Sequence, residues 1–354
     1  MLFLPEASGP SRPVLATVER RPRSVRRTSS IDTARPDGLL GDLVVTARAR
    51  DLRTGPDGAP GVLGEAELSA RIEGTTGQLA SITTSPPVPE LARLIGTLVG
   101  PGFRSRASAC CPEEREGSTL LHLLLDDLPG ATLVSGYAIQ RAGALPRARP
   151  PQGPGGETPE PAPRMAARDD LCAGWAHDGT MMVTIRATGE IPVPEGPPAP
   201  PLERHDDSLA WHPLEPLAPH GMRRRRRLDV VAPGDPHHPY LLDAHFRDSH
   251  MNEGGVESVV HEYSLTGAID GTGSRVVDIS AEAHVLPWME CPAALASAGR
   301  VIGMQTGELR TRVRRELTGA STCTHLNDML RSLGDVDVLV AELSGPSHSA
   351  DGAR

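Results

Sequence analysis

An internal similarity between the two halves of the chain constrains its fold more than any other feature. The segment VLGEAELSARIEG in the first half matches VVHEYSLTGAIDG in the second, and ARDLRT matches FRDSH. One constant separation along the chain relates four matched pairs: Arg50 with Arg247, Asp51 with Asp248, Glu65 with Glu262 and Ile72 with Ile269. A constant separation through several segments predicts one duplicated structural unit rather than an array of short repeats.

The hydrophobic pattern predicts the elements of this unit. Polar and apolar residues alternate through four stretches of the second half: 226–231, 240–248, 257–269 and 274–286. Alternation with glycine-rich breaks between the stretches is typical of antiparallel strands in a meander. Helical spacing follows Pro292, and a second helix is predicted to begin near Ser321. We therefore predict an α+β fold of two duplicated modules, each a four-stranded antiparallel sheet followed by two helices.

Composition divides the chain into six predicted segments. They are a disordered segment at 1–25, a first module at 26–142, a Pro/Gly linker at 143–164, a hairpin with a proline-rich connector at 165–221, a second module at 222–343 and a disordered tail at 344–354. Proline-rich and glycine-rich stretches do not pack as regular elements, so they mark the boundaries. The two modules are expected to pack on each other within the chain.

Charge and cysteine content exclude several classes of protein. The formal net charge of −9 makes nucleic acid an unfavourable partner. No apolar run approaches the roughly 20 residues that a membrane-spanning helix needs, so no membrane partner is expected. Five cysteines without an export signal predict free thiols or metal ligands in a cytoplasmic protein.

The second half carries side chains for metal binding that the first half lacks. His261 replaces Gly64, Cys323 replaces Leu120, His250 replaces Arg53, and Cys291 lies in an insertion that the first half does not have. His325 corresponds to His122, so that position is partly structural. Thiolates and imidazoles are the usual ligands of zinc. We predict a metal site with His261, Cys291 and Cys323 as ligands and His250 or His325 as the fourth.

The number of ligands decides what such a site can do. With three protein ligands the metal keeps an open position, and the protein is a zinc- or iron-dependent hydrolase or lyase of unknown substrate. With four ligands the metal is structural. Two alternatives remain: a metal-free acyl hydrolase or transferase with Cys323 as nucleophile and His325 or His261 as base, and a non-catalytic module that binds a small ligand or takes part in assembly.

Three further segments are assigned structural roles. The five arginines at 223–227 predict a solvated, salt-bridged edge strand. Arg247 and Asp248 are interpreted as an architectural ion pair. Cys172 is placed in a hairpin whose tryptophan fills a core.

The second-half motifs resemble those of a bacterial family known only as a domain of unknown function. The motifs RDSH, VVHEY, LPWMECP and CTHL carry this resemblance over about 222–335, and it implies no activity. A remote similarity to iron–sulfur cluster assembly scaffold proteins lies in Cys291, which starts the helix after the last strand, and in Cys323, which opens a later helix. It implies iron or an iron–sulfur cluster as the alternative to zinc. The scaffold family's first ligands fall near Val259 and His261, of which only His261 can coordinate; this departure favours a static metal site.

Overall fold

Eight β-strands form one antiparallel sheet in the computed structural model, which describes residues 9–144, 169–235 and 237–344. The strands are β1 (Ser24–Ala34), β2 (Leu43–Thr54), β3 (Pro60–Ile72), β4 (Leu79–Ser85), β5 (Met222–Val231), β6 (Tyr240–Met251), β7 (Glu257–Ile269) and β8 (Val276–Val285). Their order across the sheet is β4-β3-β2-β1-β5-β6-β7-β8. Each half of the chain therefore forms a four-stranded meander, and the two meanders join along β1 and β5.

Helices follow each group of four strands. The α-helices are α1 (Phe103–Cys110), α2 (Pro112–Glu116), α3 (Leu120–Val134), α4 (Gly136–Arg141), α5 (Thr180–Thr188), α6 (Leu309–Glu316), α7 (Thr324–Ser332) and α8 (Val336–Ser344). The 3-10 helices are Pro89–Leu94, Ala173–Trp175, Cys291–Val301, Thr306–Glu308 and Leu333–Asp335. The mixed α and β content agrees with the predicted class, but the prediction of two helices after each group of strands was wrong, since each group is followed by more than two. No helix in the described part of the chain is long and apolar enough to cross a bilayer.

The strand with five consecutive arginines lies in the centre of the sheet, so the prediction of an edge strand was wrong. β5 pairs with β1 on one side and β6 on the other, and all but its last residue are buried. Burial is possible because the guanidinium groups face carboxylates: Arg223 forms two hydrogen bonds with Asp32, and Arg224 forms two with Asp248. Buried charges are tolerated when they are paired and hydrogen-bonded.

The two faces of the sheet centre are covered by different parts of the chain. On one face, Arg27 contacts Asp335, which directly precedes α8, and Arg226 contacts Asp127 of α3. On the other face, His212 of the connector bonds to the hydroxyl groups of Thr28 and Ser30. Since the central strands are covered on both faces, their outward polar side chains are buried as well.

Two of the segments differ from their predicted structure. The residues predicted as a hairpin hold the 3-10 turn Ala173–Trp175 and α5, because Met181, Met182 and Ile185 bury one face of a helix. An apolar run of this length does not distinguish strand from helix by itself. Residues 9–23, predicted to be disordered, lie along the sheet, where the Val14 amide donates to Glu262. The predicted linker, from residue 145, and the tail, from 345, lie outside the described residues.

Candidate metal site

Three charged or polar side chains form a row across neighbouring strands on the helix-covered face. Arg224 of β5 lies opposite Asp248 of β6, and Asp248 lies opposite His261 of β7. The register between β6 and β7 shifts immediately after Asp248, where a β-bulge interrupts the ladder. Bulges redirect side chains and are frequent beside functional sites. The sheet thus fixes a carboxylate and an imidazole side by side.

α7 adds a second imidazole above this row. The ring of His325 stacks on that of His261, with 3.7 Å between the ring centroids and 19° between the planes. Its Nε2 atom is 3.5 Å from the Oδ2 atom of Asp248. One donor atom from each of Asp248, His261 and His325 lies within 4.8 Å of the other two, which is close enough for one metal ion to bind all three.

The carboxylate of this group is held by an arginine. The Nε and Nη2 atoms of Arg224 each donate to Asp248 over 2.9 Å, and the Asp248 side chain is only 1% exposed. Nη1 of Arg224 also lies 3.3 Å from Asp328 of α7. A two-pronged pair of this kind fixes the plane of the carboxylate and leaves its oxygens with spare lone pairs.

Both histidines favour the neutral form, which is the form that binds metal. Burial lowers the pKa of His261 well below its usual value, and the neighbouring His325 lowers it further. Burial and the charge of Arg224 lower the pKa of His325 to about 3. The Nδ1 atom of His261 is buried and has no hydrogen-bond partner among the described residues. Buried polar atoms are rarely left without a partner, so this nitrogen is a candidate for metal binding.

A thiol lies next to the second imidazole. Cys323 precedes α7, and its sulfur is 3.8 Å from the Nδ1 atom of His325. The hydroxyl group of Tyr263 donates to the same sulfur over 3.2 Å. Burial raises the pKa of Cys323, so the thiol form is favoured in the absence of a metal or base.

The structure therefore brings together only part of the predicted ligand set. His261 and His325 lie in the three-residue group, and Cys323 lies beside it. His250 is further along β6, where its ring meets that of Tyr137 edge-on at 5.2 Å. Cys291 begins a 3-10 helix, and neither it nor Cys323 belongs to a group of three metal-binding side chains within the described residues. The five-residue set as a whole stays a prediction.

The sequence analysis paired Asp248 with a different arginine from the one that the structure shows. Asp248 was paired with Arg247, but adjacent residues of a strand point to opposite faces. The structure pairs Asp248 with Arg224, and Arg247 with Glu262 on the opposite face. The alternation within RDSH and VVHEY places Asp248 and His261 on the face of the buried Phe246 and Tyr263, and this was the available signal.

Residues 222–339 match a family model described as a protein of unknown function (DUF2889). The matched region contains β5 to β8 and all three residues of the group. It agrees with the family resemblance of the motifs. No curated protein and no solved structure matches the chain.

Proposed function

We propose that the chain binds a divalent transition metal through Asp248, His261 and His325. The observation that carries this proposal is the presence of one carboxylate and two imidazole donors within 4.8 Å of one another. Two histidines and one carboxylate are a ligand set used by catalytic zinc and by non-haem iron(II). Zinc is our first choice and iron the alternative.

Three protein ligands leave one coordination position for water or a substrate. A zinc-class ion bound in this way supplies Lewis acidity and lowers the pKa of a bound water. Asp248, His261 and His325 would hold the ion, with Arg224 fixing Asp248 and ring stacking fixing His261 against His325. This arrangement fits a hydrolase or lyase of unknown substrate better than a structural metal, for which a fourth protein ligand is usual.

We also propose that the module is duplicated and that its first copy lacks the metal site. In the first half, Arg27 lies opposite Asp51 and Asp51 lies opposite Gly64, with a register shift directly after Asp51. This is the Arg224–Asp248–His261 row with glycine in place of histidine. Ion pairs between the two halves also support the duplication.

Ion pairs between the halves are reciprocal. Arg26 binds Asp229 through two hydrogen bonds of 2.7 and 2.8 Å, and Arg223 binds Asp32 through two of 2.7 and 2.6 Å. Each arginine corresponds in sequence to the other, as does each aspartate. Exchange of equivalent partners across an interface is the mark of two-fold symmetry.

Metal analysis of the purified full-length chain tests the proposed function. After expression in medium supplemented with zinc and iron, we expect at least one equivalent of zinc or iron in the wild type and one equivalent less in His261→Gln. His122→Gln is the matched control, because His122 is the buried counterpart of His325 in the first half. A wild type without stoichiometric metal, or a folded His261→Gln variant that holds as much metal as the wild type, would refute the proposal.

A second candidate function uses the thiol instead of a metal. A thiol, an imidazole and a carboxylate lie in sequence, with 3.8 Å between the sulfur of Cys323 and Nδ1 of His325 and 3.5 Å between Nε2 of His325 and Oδ2 of Asp248. This is the arrangement of a cysteine acyl hydrolase or transferase. The raised pKa of the buried thiol opposes it, so metal binding is better supported.

Alkylation distinguishes the two candidates. A nucleophilic Cys323 reacts quickly with iodoacetamide in the presence of a chelator at neutral pH, and the rate falls in His325→Gln. If Cys323 reacts no faster than in the urea-unfolded chain, the cysteine mechanism is excluded.

A further inference from the structure

Three of the five cysteines come from separate segments that meet in the core packed on β5 to β8, and one of them, Cys323, borders the Asp248, His261 and His325 group. Cys172 comes from the segment before α5, Cys291 begins the 3-10 helix after β8, and Cys323 precedes α7. All three are free thiols, and Cys291 and Cys323 are each 6% exposed. Three distant parts of the chain thus deliver a sulfur to the same core.

Backbone contacts hold Cys172 against the other two. The amide of Ala173 donates to the carbonyl of Thr322 over 2.8 Å, which sets the residues on either side of this bond, Cys172 and Cys323, next to each other. A Cβ atom on Gly174 would lie 2.9 Å from the sulfur of Cys291. The absence of a side chain at this glycine therefore lets the turn approach that sulfur.

The electrostatic coupling of the thiols agrees with this placement. Burial, together with the nearby Cys323, raises the pKa of Cys172 to about 12. Burial also raises the pKa of Cys291, to which both Cys323 and Cys172 contribute.

We propose that Cys172, Cys291 and Cys323 form a second metal site, selective for a soft d10 cation of the Cd²⁺, Zn²⁺ or Cu⁺ class. Soft thiolate donors select such ions over hard cations. Binding exchanges three S–H bonds for three sulfur–metal bonds and releases three protons to solvent, with no change in oxidation state. The thiols rotate towards one another on binding, since the apo side chains do not form a compact group of donors.

Cadmium is the probe for this site. The reduced full-length protein is titrated with CdCl₂ while the ultraviolet thiolate-to-cadmium charge-transfer band is recorded, and X-ray absorption at the cadmium edge then identifies the ligand atoms. We expect a band that saturates at one equivalent and a first shell containing three sulfurs. The band is lost or strongly reduced in Cys172→Ser, whereas the double variant Cys110→Ser/Cys111→Ser behaves as wild type.

The measurement separates this site from the proposed function. A cadmium shell of nitrogen and oxygen alone places the ion at the Asp248 group and refutes the thiol site. A band that keeps its amplitude in Cys172→Ser refutes it as well. His261→Gln leaves the three-sulfur shell intact, so failure of the proposed function does not remove the signal. Because the X-ray measurement uses the wild type, a Cys172→Ser variant that fails to fold does not prevent the test.

Discussion

The buried pair of Arg224 and Asp248 offers a quantitative test of how the centre of the sheet is stabilised. Arg224→Met keeps much of the side-chain volume and removes both 2.9 Å hydrogen bonds to Asp248. The carboxylate is 1% exposed, and the imidazole of His325, 3.5 Å from it, is neutral because burial lowers its pKa. Removing one partner of a buried pair leaves an uncompensated charge, which costs about 3–5 kcal/mol.

Urea unfolding of the full-length chain, followed by circular dichroism, measures this cost. Arg27→Met should lose a similar amount, because Arg27 holds Asp51 through hydrogen bonds of 2.8 and 2.7 Å in the first half. Arg71→Met is the exposed control: the Arg71 side chain is 46% exposed, and exposed pairs contribute at most about 1 kcal/mol.

The comparison among the variants decides the interpretation. If Arg224→Met and Arg71→Met lose the same free energy of unfolding, burial does not set the cost and the reasoning fails. The double variant Arg224→Met/Asp248→Leu should recover part of the loss, since it removes the unpaired carboxylate. A double variant less stable than Arg224→Met alone would contradict the electrostatic explanation.

Four other measurements test the structure more widely. Burial lowers the pKa of His212 to about 3, so His212 binds a proton at a higher pH in the unfolded state than in the folded state. As the pH falls from 6.5 to 5, the free energy of unfolding should therefore decrease by about 2 kcal/mol because of this residue. His212→Gln should make this decrease smaller in urea titrations at several pH values. Gly196→Ala should be strongly destabilising because its Cβ would overlap the carbonyl of Val259, whereas Gly136→Ala, with open space around it, should unfold at the wild-type urea concentration or above. Leu326→Ala removes a fully buried side chain of α7 and should cost about 2–5 kcal/mol by the same assay; a smaller loss would show that α7 is loosely packed. Arg224→Gln should weaken zinc binding about 10–100-fold in competition with a chromogenic chelator, since it removes the support of a ligand, and unchanged affinity would show that Asp248 does not bind the metal.

The strands of the second half and the start of α7 were accessible from the sequence because they follow local periodicity. Alternation over 257–269 predicted β7 with its observed bounds, and the helix near Ser321 was found as α7. A period of two or of 3.6 is set by backbone geometry and is visible within about ten residues. The family resemblance over the second half was likewise confirmed.

The candidate site was only partly accessible. His261 and His325 stand out as a histidine that the first half lacks and one that it shares, and both lie in the group. Asp248 was not among the predicted ligands because Asp51 stands at the matching position, which suggested a structural role. In the structure Asp248 pairs with Arg224 and also belongs to the group with His261 and His325. Cys172 was given only a structural role in the sequence analysis because its neighbours in space, around Thr322 and Cys323, lie far away in the chain.

The sequence by itself determined which residues alternate, which segments turn and which half carries the candidate metal ligands. Tertiary structure decided that β5 lies beside β1 instead of at an edge, and it decided which carboxylate each arginine meets. These pairings depend on distances between residues far apart in the chain. An arginine run has the same sequence whether it faces water or a buried aspartate, and only the neighbouring strands and helices determine which environment it occupies.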